Sequence, residues 1–267
     1  MAETADGAAL RQAAVLLLEA DYVVGLTGAG ISVESGIPPF RGPGGLWTKY
    51  GEPPMNGYEV FLRDPKKAWE ERLAPSGPSQ IIQETVRQAQ PNPGHQALVT
   101  LEELGLLRHL ITQNIDNLHR RAGSRNLAEI HGNSTLVRCI RCTSRYPFGE
   151  VSFDHLPPSC PQCDGILKID TVAFGEPIPP DVLDVCLREA QRCDCMLVAG
   201  TSATVYPAAW FPMQVRERGG HLIEVNLYES ELTPLCTVSL RGKSGDLLPQ
   251  LVQAVRELRS WRSPHDV

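Results

Sequence analysis

The sequence predicts an α/β protein: a mostly parallel sheet, doubly wound by helices on both faces, with a smaller module inserted into it. Three observations predict this. Short apolar runs of strand length alternate with longer segments of helical period toward both ends of the chain. Four unusual polar or glycine-rich turns, at Thr27, Gln113, Gly200 and Asn226, each begin where an apolar run stops. Ligands of parallel sheets sit beyond the carboxyl ends of the strands, so these turns should converge on one edge. Between them, two Cys-x2-Cys pairs separated by seventeen residues break the alternation.

In chain order, Ala8 to Ala20 has helical spacing and leads into an apolar strand over Tyr22 to Leu26. Thr27-Gly28-Ala29-Gly30-Ile31-Ser32 follows. Small residues after a strand can present backbone N–H groups to a phosphate, with Gly28 and Gly30 leaving no side chain in the way. The third glycine of the common dinucleotide fingerprint is absent, since Val33 stands there, and a plain turn fits this piece equally. Ser35 to Gly42 cannot continue a helix, because Pro38 and Pro39 remove donors and fix φ. Ile37 and Phe40 beside Arg41 suit a ligand with both a ring and a phosphate or ribose; the alternative is a surface loop tucked down by one Phe. Lys49 to Gln90 is irregular, with a helical stretch at 65–73, and reads as an inserted helical module or lid.

A helix over 93–105, a strand over 107–112 and a helix over 117–123 follow. A short strand over 127–130 then ends at His131-Gly132-Asn133. After the cysteine pairs the rhythm resumes: helix 180–192, strand 195–200, helix 208–219, strand 221–226, strand 237–240 and helix 247–259.

Composition bounds the class. With 267 residues, 42% hydrophobic and 21% charged, the chain can bury a full core. No apolar run approaches the roughly 20 residues that span a bilayer. The first ten residues are acidic, without the basic start of a secretory signal. A net charge of −6 argues against a general nucleic-acid binder but not against a basic peptide substrate. Four of the eight cysteines form the two pairs; Cys186, Cys193, Cys195 and Cys236 lie in or beside apolar runs. That usage suits a reducing cytoplasm better than a disulfide framework.

Cys139, Cys142, Cys160 and Cys163 have the spacing of a zinc ribbon with four thiolate ligands. With every position filled by cysteine, no place is left for a catalytic water, so the metal is structural. Gln113-Asn114-Ile115-Asp116 puts three hydrogen-bonding side chains at a strand end, able to hold ribose hydroxyls or a carboxamide; capping of the next helix by Asp116 is the plainer reading. Of the seven histidines, His95, His109, His119, His155, His221 and His265 read as packing or solvent-exposed. His131 differs, because a neutral imidazole at a strand end can act as a general base near pH 7. Gly200-Thr201-Ser202, Asn226 and the Gly242 to Gly245 turn complete a surface of dinucleotide size.

Together these motifs resemble the sirtuins, the NAD-dependent protein lysine deacylases, with a bacterial or archaeal cast. GAGISVESGIPPFRG from Gly28, QNID from Gln113, HGN from His131, the two cysteine pairs, FGE from Phe174, GTSATVYPA from Gly200 and VN at Val225 occur in family order. The resemblance implies a Rossmann-like domain over 1–48, 92–135 and 170–267. It implies a small domain over 49–91 and 136–169, made of the helical module and the zinc ribbon. It implies NAD in the cleft between them. Gly28, Ala29, Gly30, Arg41, Gln113, Gly200, Thr201, Ser202, Asn226 and Ser244 would contact the dinucleotide. Phe40, Ile37, Trp47, Asn114, Ile115 and Asp116 would line the nicotinamide pocket, with His131 the base and Asn114 its catalytic neighbour. Val172, Phe174, Gly175 and Glu176, with the 203–206 loop including Val205, would pair with the substrate backbone by strand addition.

The implied products are nicotinamide, free lysine and O-acyl-ADP-ribose, from an acyl-lysine protein or peptide. An ADP-ribosyltransferase and a non-catalytic zinc-ribbon NAD sensor are the rival readings; an intact His131 favours deacylation. Two departures, Pro39 and Ile169, remove no group that the chemistry needs. Relatives that favour acidic acyl groups carry a Tyr and an Arg, three apart, after a Trp-Glu. Here Arg72 and Pro75 stand at those places after Trp69-Glu70, so acetyl or aliphatic acyl groups are expected above succinyl. An Arg72 guanidinium turned inward would work against that ranking.

Overall fold

Nine strands, ten α-helices and three short 3-10 helices make up the computed structural model, which describes residues 7–262. The large sheet has six strands. Three come from the first half: β1 (Val23–Thr27), β2 (Leu107–Thr112) and β3 (Leu127–Glu129). The others are β7 (Cys195–Ala199), β8 (His221–Asn226) and β9 (Val238–Arg241). Their spatial order is β3-β2-β1-β7-β8-β9, and every pair is parallel. Counting only these strands, the order is 3-2-1-4-5-6, which reverses direction between β1 and β7. That reversal opens a crevice at the carboxyl ends of those two strands.

All five residues of β1, and all five of β7, are buried. Period-two alternation sends their side chains to two separate cores. One core lies under α1 (Gly7–Glu19), α6 (Pro93–Glu103) and α10 (Ser244–Arg262) and holds Leu17, Val23, Leu101, Leu197 and Leu248. The other lies under α8 (Pro180–Arg192) and α9 (Trp210–Glu217) and holds Val24, Leu26, Ala190, Val198 and Phe211. Cys186, Cys193 and Cys195 are buried in these cores and Cys236 packs at the edge of the second, which is why they are apolar residues in practice.

A second sheet of three antiparallel strands carries the cysteines: β4 (Gly132–Cys139), β5 (Arg145–Pro147) and β6 (Leu167–Thr171). In sequence this region reads only as an interruption, and the expected domain boundaries at 136 and 170 fall inside β4 and β6. The alternation was hidden because β4 carries Asn, Ser, Thr and Arg, and its pairing with β6 is irregular between Gly132 and Val137. The helical module comprises α2 (Leu46–Tyr50), α3 (Gly57–Arg63), α4 (Pro65–Leu73) and α5 (Pro78–Gln88). It is anchored through Trp69, which is 2% exposed, packs on Phe148 and Phe153, and donates Nε1–H to the Leu167 carbonyl at 2.8 Å. The short helix α7 (Leu118–Ala122) follows β2. No described helix is long and apolar enough to cross a membrane. His265 lies outside the described residues.

Candidate active site

The 29–35 segment leaves β1 as a 3-10 helix and runs straight into the crevice. Its backbone meets the turn after β7: Gly30 N–H donates to the Gly200 carbonyl at 2.7 Å, and Gly28 N–H donates to the Ala199 carbonyl at 3.1 Å. A β-carbon on Gly30 would stand 2.7 Å from Gly200 backbone atoms, and one on Gly200 would stand 2.3 Å from the Ile31 nitrogen. Glycine is therefore required on both sides of this crossing. Asn92, the N-cap of α6, donates to the Ile31 carbonyl at 2.7 Å and to Ser35 Oγ at 3.0 Å, fixing the segment from behind.

Above this crossing lies one cleft of about 1210 Å³ between the large sheet and the small unit. Gly28, Ala29, Gly30, Phe40, Arg41, Trp47, Gln113, Asn114, Ile115, His131, Gly200, Thr201, Ser202, Asn226 and Ser244 all line it. So do Val172, Phe174, Gly175, Glu176 and Val205. Ile37 and Asp116 do not. Gly36, with φ 88°, turns the chain at the end of the 3-10 segment, and Ile37 falls outside the lining. Asp116 is buried behind it, accepting from Ser32 Oγ at 2.6 Å and from Leu118 N–H at 2.9 Å. Burial raises its pKa against the lowering effect of those bonds. It thus serves the helix start, as the plainer reading had it, while holding Ser32 in place. Ser32 in turn accepts from Asn114 Nδ2 at 3.1 Å, and the same Nδ2 donates to the Gly28 carbonyl.

Gln113 and Thr201 tie the two sides of the crevice, with Gln113 Nε2 donating to Thr201 Oγ1 at 2.9 Å. Asn226 Nδ2 donates to the Thr201 carbonyl at 2.9 Å. The Gln113 carbonyl faces His131 Nδ1 at 3.1 Å. A carbonyl only accepts, so Nδ1 carries the proton and Nε2 keeps its lone pair. Burial lowers the His131 pKa, and the bond that Nδ1–H donates to the Gln113 carbonyl offsets part of that. The imidazole is therefore neutral near pH 7.

On the outer side, Phe40, Trp47 and Phe174 form a chain of rings with centroids 5.2 and 5.8 Å apart. The Arg41 guanidinium lies 4.3 Å from the Trp47 ring centroid and reaches Glu52 at 3.6 Å. The 172–176 stretch, expected to offer an extended edge to the substrate, is instead a turn. Gly175, with φ 80°, makes 173–176 a tight turn closed by Glu176 N–H to the Ala173 carbonyl at 3.0 Å. The Phe174 carbonyl already accepts from Tyr58 N–H at 3.0 Å. Tyr206 of the 203–206 loop and Lys243 of the Gly242 to Gly245 turn also line the cleft, as do Glu34, Leu227 and Tyr228, which were not singled out from sequence. An exposed aromatic residue just after a strand end, Tyr228, was the available signal.

The four cysteine sulfurs lie within 4.8 Å of one another, with Cys139 to Cys163 at 3.5 Å and Cys142 to Cys160 at 3.6 Å. Four thiolates about 2.3 Å from a shared zinc sit about 3.8 Å apart, so the donors fit a tetrahedral zinc ion. Backbone N–H groups of Arg141 and Cys142 already point at Cys139 Sγ, as a thiolate requires.

Arg72 sits in a second cavity of about 320 Å³ that shares Ile115, Thr171 and Ala173 with the main cleft. Its Nη2 reaches the Ser134 carbonyl at 3.4 Å, while its Nε is buried without a partner. Burial lowers its pKa.

Comparison with known proteins agrees with this geometry. A profile of the Sir2 family matches residues 28–207. The NAD-dependent protein deacylase 1 of Archaeoglobus fulgidus is 46% identical over 244 residues, 91% of this chain and 97% of that protein. The NAD-dependent protein deacylase of Thermococcus kodakarensis is 44% identical over 260 residues, 95% and 98% of the two chains. A crystal structure of a Sir2 homolog–NAD complex superposes with a TM-score of 0.77 at 45% identity, covering 92% of this chain and 94% of the other. The chain belongs to the Sir2 family.

Proposed function

We propose that this protein is an NAD-dependent protein lysine deacylase, and that His131 is its general base. The observation that carries this reading is the fixed imidazole: Nδ1 is committed to the Gln113 carbonyl, and the neutral Nε2 side is left for chemistry in the cleft. NAD suits the crevice because the turns after β1 and β7, with Gln113, Asn226 and Ser244, line one cleft at the carboxyl ends of the strands. When bound there it supplies a nicotinamide leaving group and an electrophilic ribose carbon. Gly28, Ala29, Gly30, Gly200, Thr201 and Ser202 would hold its phosphates and ribose, with Gln113, Asn226 and Ser244 flanking them. Arg41 would face the phosphates from the loop. Phe40, Trp47 and Ile115 would wall the nicotinamide end, and Asn114 would orient it with Asp116 and Ser32 behind. Asp116 acts there through Ser32 and Asn114 rather than by lining the pocket.

The chain's own part is to position the reactants, exclude water behind the ring chain, and accept a ribose hydroxyl proton at His131 Nε2. The acyl-lysine peptide would enter along Val172, Gly175 and Val205. The four cysteines would hold zinc as a structural centre, remote from proton transfer. The test is mass spectrometry on acetyl-lysine peptides with and without NAD. Deacylated peptide and O-acyl-ADP-ribose should form only with NAD. A peptide that gains ADP-ribose, or NAD binding without nicotinamide release, would move the assignment to a transferase or a sensor.

A further inference from the structure

Glu176 lines the cleft, yet its side chain is only 2% exposed, and its carboxylate is engaged on every side by this chain's own donors. One oxygen accepts from Arg138 Nη2 at 2.6 Å. The other accepts from Lys168 Nζ at 3.0 Å and from Ala173 N–H at 2.9 Å. Arg138 and Lys168 are themselves buried, on the strands β4 and β6 of the cysteine-bearing sheet. Arg138 precedes the ligand Cys139. Its Nε is held by Asp170, which also accepts from Arg145, and Arg145 reaches Asp181 on α8 at 2.8 Å. The network therefore runs from α8 through the three-stranded sheet and ends on the turn that faces the substrate.

A buried ion network of this kind is weak evidence for stability, because desolvation offsets most of its attraction. What it does well is fix geometry, since charge-assisted bonds are short and directional. The backbone it fixes is the 173–176 turn, and the Ala173 N–H is tied to the Glu176 side chain itself. On the other side of the turn, Val172 N–H donates to the His131 carbonyl at 2.8 Å. The turn is thus held between the proposed base and the Glu176 clamp.

We propose that Glu176 is a positioning residue that sets affinity for the acyl-lysine peptide, by pinning the 173–176 turn to the cysteine-bearing sheet through Arg138 and Lys168. The carboxylate itself makes no substrate contact. This rests on the deacylase reading and goes beyond it: the peptide wall is placed by the small unit, whereas the dinucleotide wall is placed by the large sheet.

The experiment is steady-state kinetics with an acetyl-lysine peptide and NAD. In Glu176→Gln one carboxylate oxygen becomes an NH2 that opposes either Arg138 or the Lys168 and Ala173 donors, so the turn should loosen. The KM for peptide should rise about tenfold, with KM for NAD within about twofold and kcat within about threefold. Lys168→Met removes one cation, keeps Arg138, and should shift peptide KM less, in the same direction. Arg138→Lys should recover part of what Arg138→Met loses, which a role in folding alone would not produce in the peptide KM. Equal rises in both KM values, or altered melting with unaltered peptide KM, would overturn the proposal. If the wild type does not turn over the peptide, the deacylase reading fails. Calorimetric titration of peptide onto the same variants then decides the clamp, with equal affinities across the series counting against it.

Discussion

His131 divides two tasks between its ring nitrogens. Nδ1 holds the ring to the Gln113 carbonyl, and Nε2 is left as an acceptor. Replacing His131 with Ala should cost at least the general-base factor, about 10²-fold in kcat. NAD affinity measured by calorimetry should stay near wild type, and deacylation at the wild-type rate would refute the role. Because burial lowers the His131 pKa, the neutral base persists below the ordinary histidine range. The acid limb of the kcat profile should accordingly lie below about pH 6.5. Arg72 is the second telling residue. Sequence placed it where relatives that favour acidic acyl groups carry a Tyr, but did not show that its guanidinium turns inward beside Ile115, with a buried Nε and, among the described residues, no carboxylate partner. Acetyl is still expected above succinyl, yet the gap should be narrowed by this cation. Arg72→Ala should lower kcat/KM for a succinyl-lysine peptide about tenfold more than for the acetyl peptide, the worth of one charged hydrogen bond. Equal losses on both peptides would show that Arg72 does not face the acyl end.

At the scale of elements, the ribbon and its sheet stand on their metal ligands and on one tryptophan. Trp69, Val137, Leu167, Cys139 and Cys160 are the buried residues of that small core, too few to hold three strands without a cross-link. Cys142→Ser or Cys160→Ser should release zinc, read by elemental analysis, and abolish the near-ultraviolet dichroism of Trp69. Wild-type protein without zinc would overturn the assignment. Helices and strands of the large sheet were legible in sequence because their patterns are strong: α8, β2 and β8 match the expected ranges, as does α4 of the helical module. Strands β4 and β6 were not, since their partners are cysteine knuckles and buried ion pairs rather than a continuous apolar face. The 173–176 turn was missed for a related reason. Gly175 gives it freedom to turn, but the Glu176 carboxylate that braces it is held by Arg138 and Lys168 on the strands β4 and β6, which local sequence does not show.

For the whole molecule, the convergence of four strand ends was readable before any coordinates, because parallel connectivity forces it. Strand order was not, since the reversal between β1 and β7 depends on which helix packs on which face. Global stability should also carry a pH signature. His95 and His119 stack 4.8 Å apart in the interior, each with one ring nitrogen lacking a partner. Burial lowers the His95 pKa to about 4 and that of His119 well below its ordinary value. The unfolded chain then binds more protons than the folded one between about pH 6.5 and 4, so stability falls as pH falls through that window. For His95 alone the loss from pH 7 to 5 is about 2 kcal/mol. Urea titrations at those two values should show it, and coincident curves would contradict it.

The path between the two units has a mechanical consequence. Two neighbouring segments cross from the large sheet to the small one: 130–132 leaving β3 for β4, and 171–172 returning from β6. They are bonded to each other at His131 and Val172. A rocking of one unit against the other would bend at this ribbon, and displacement in a rotation grows with distance from its axis. The proposed base therefore sits near the pivot. Parts of the small unit farther from this ribbon would sweep more widely while His131 keeps its place against Gln113.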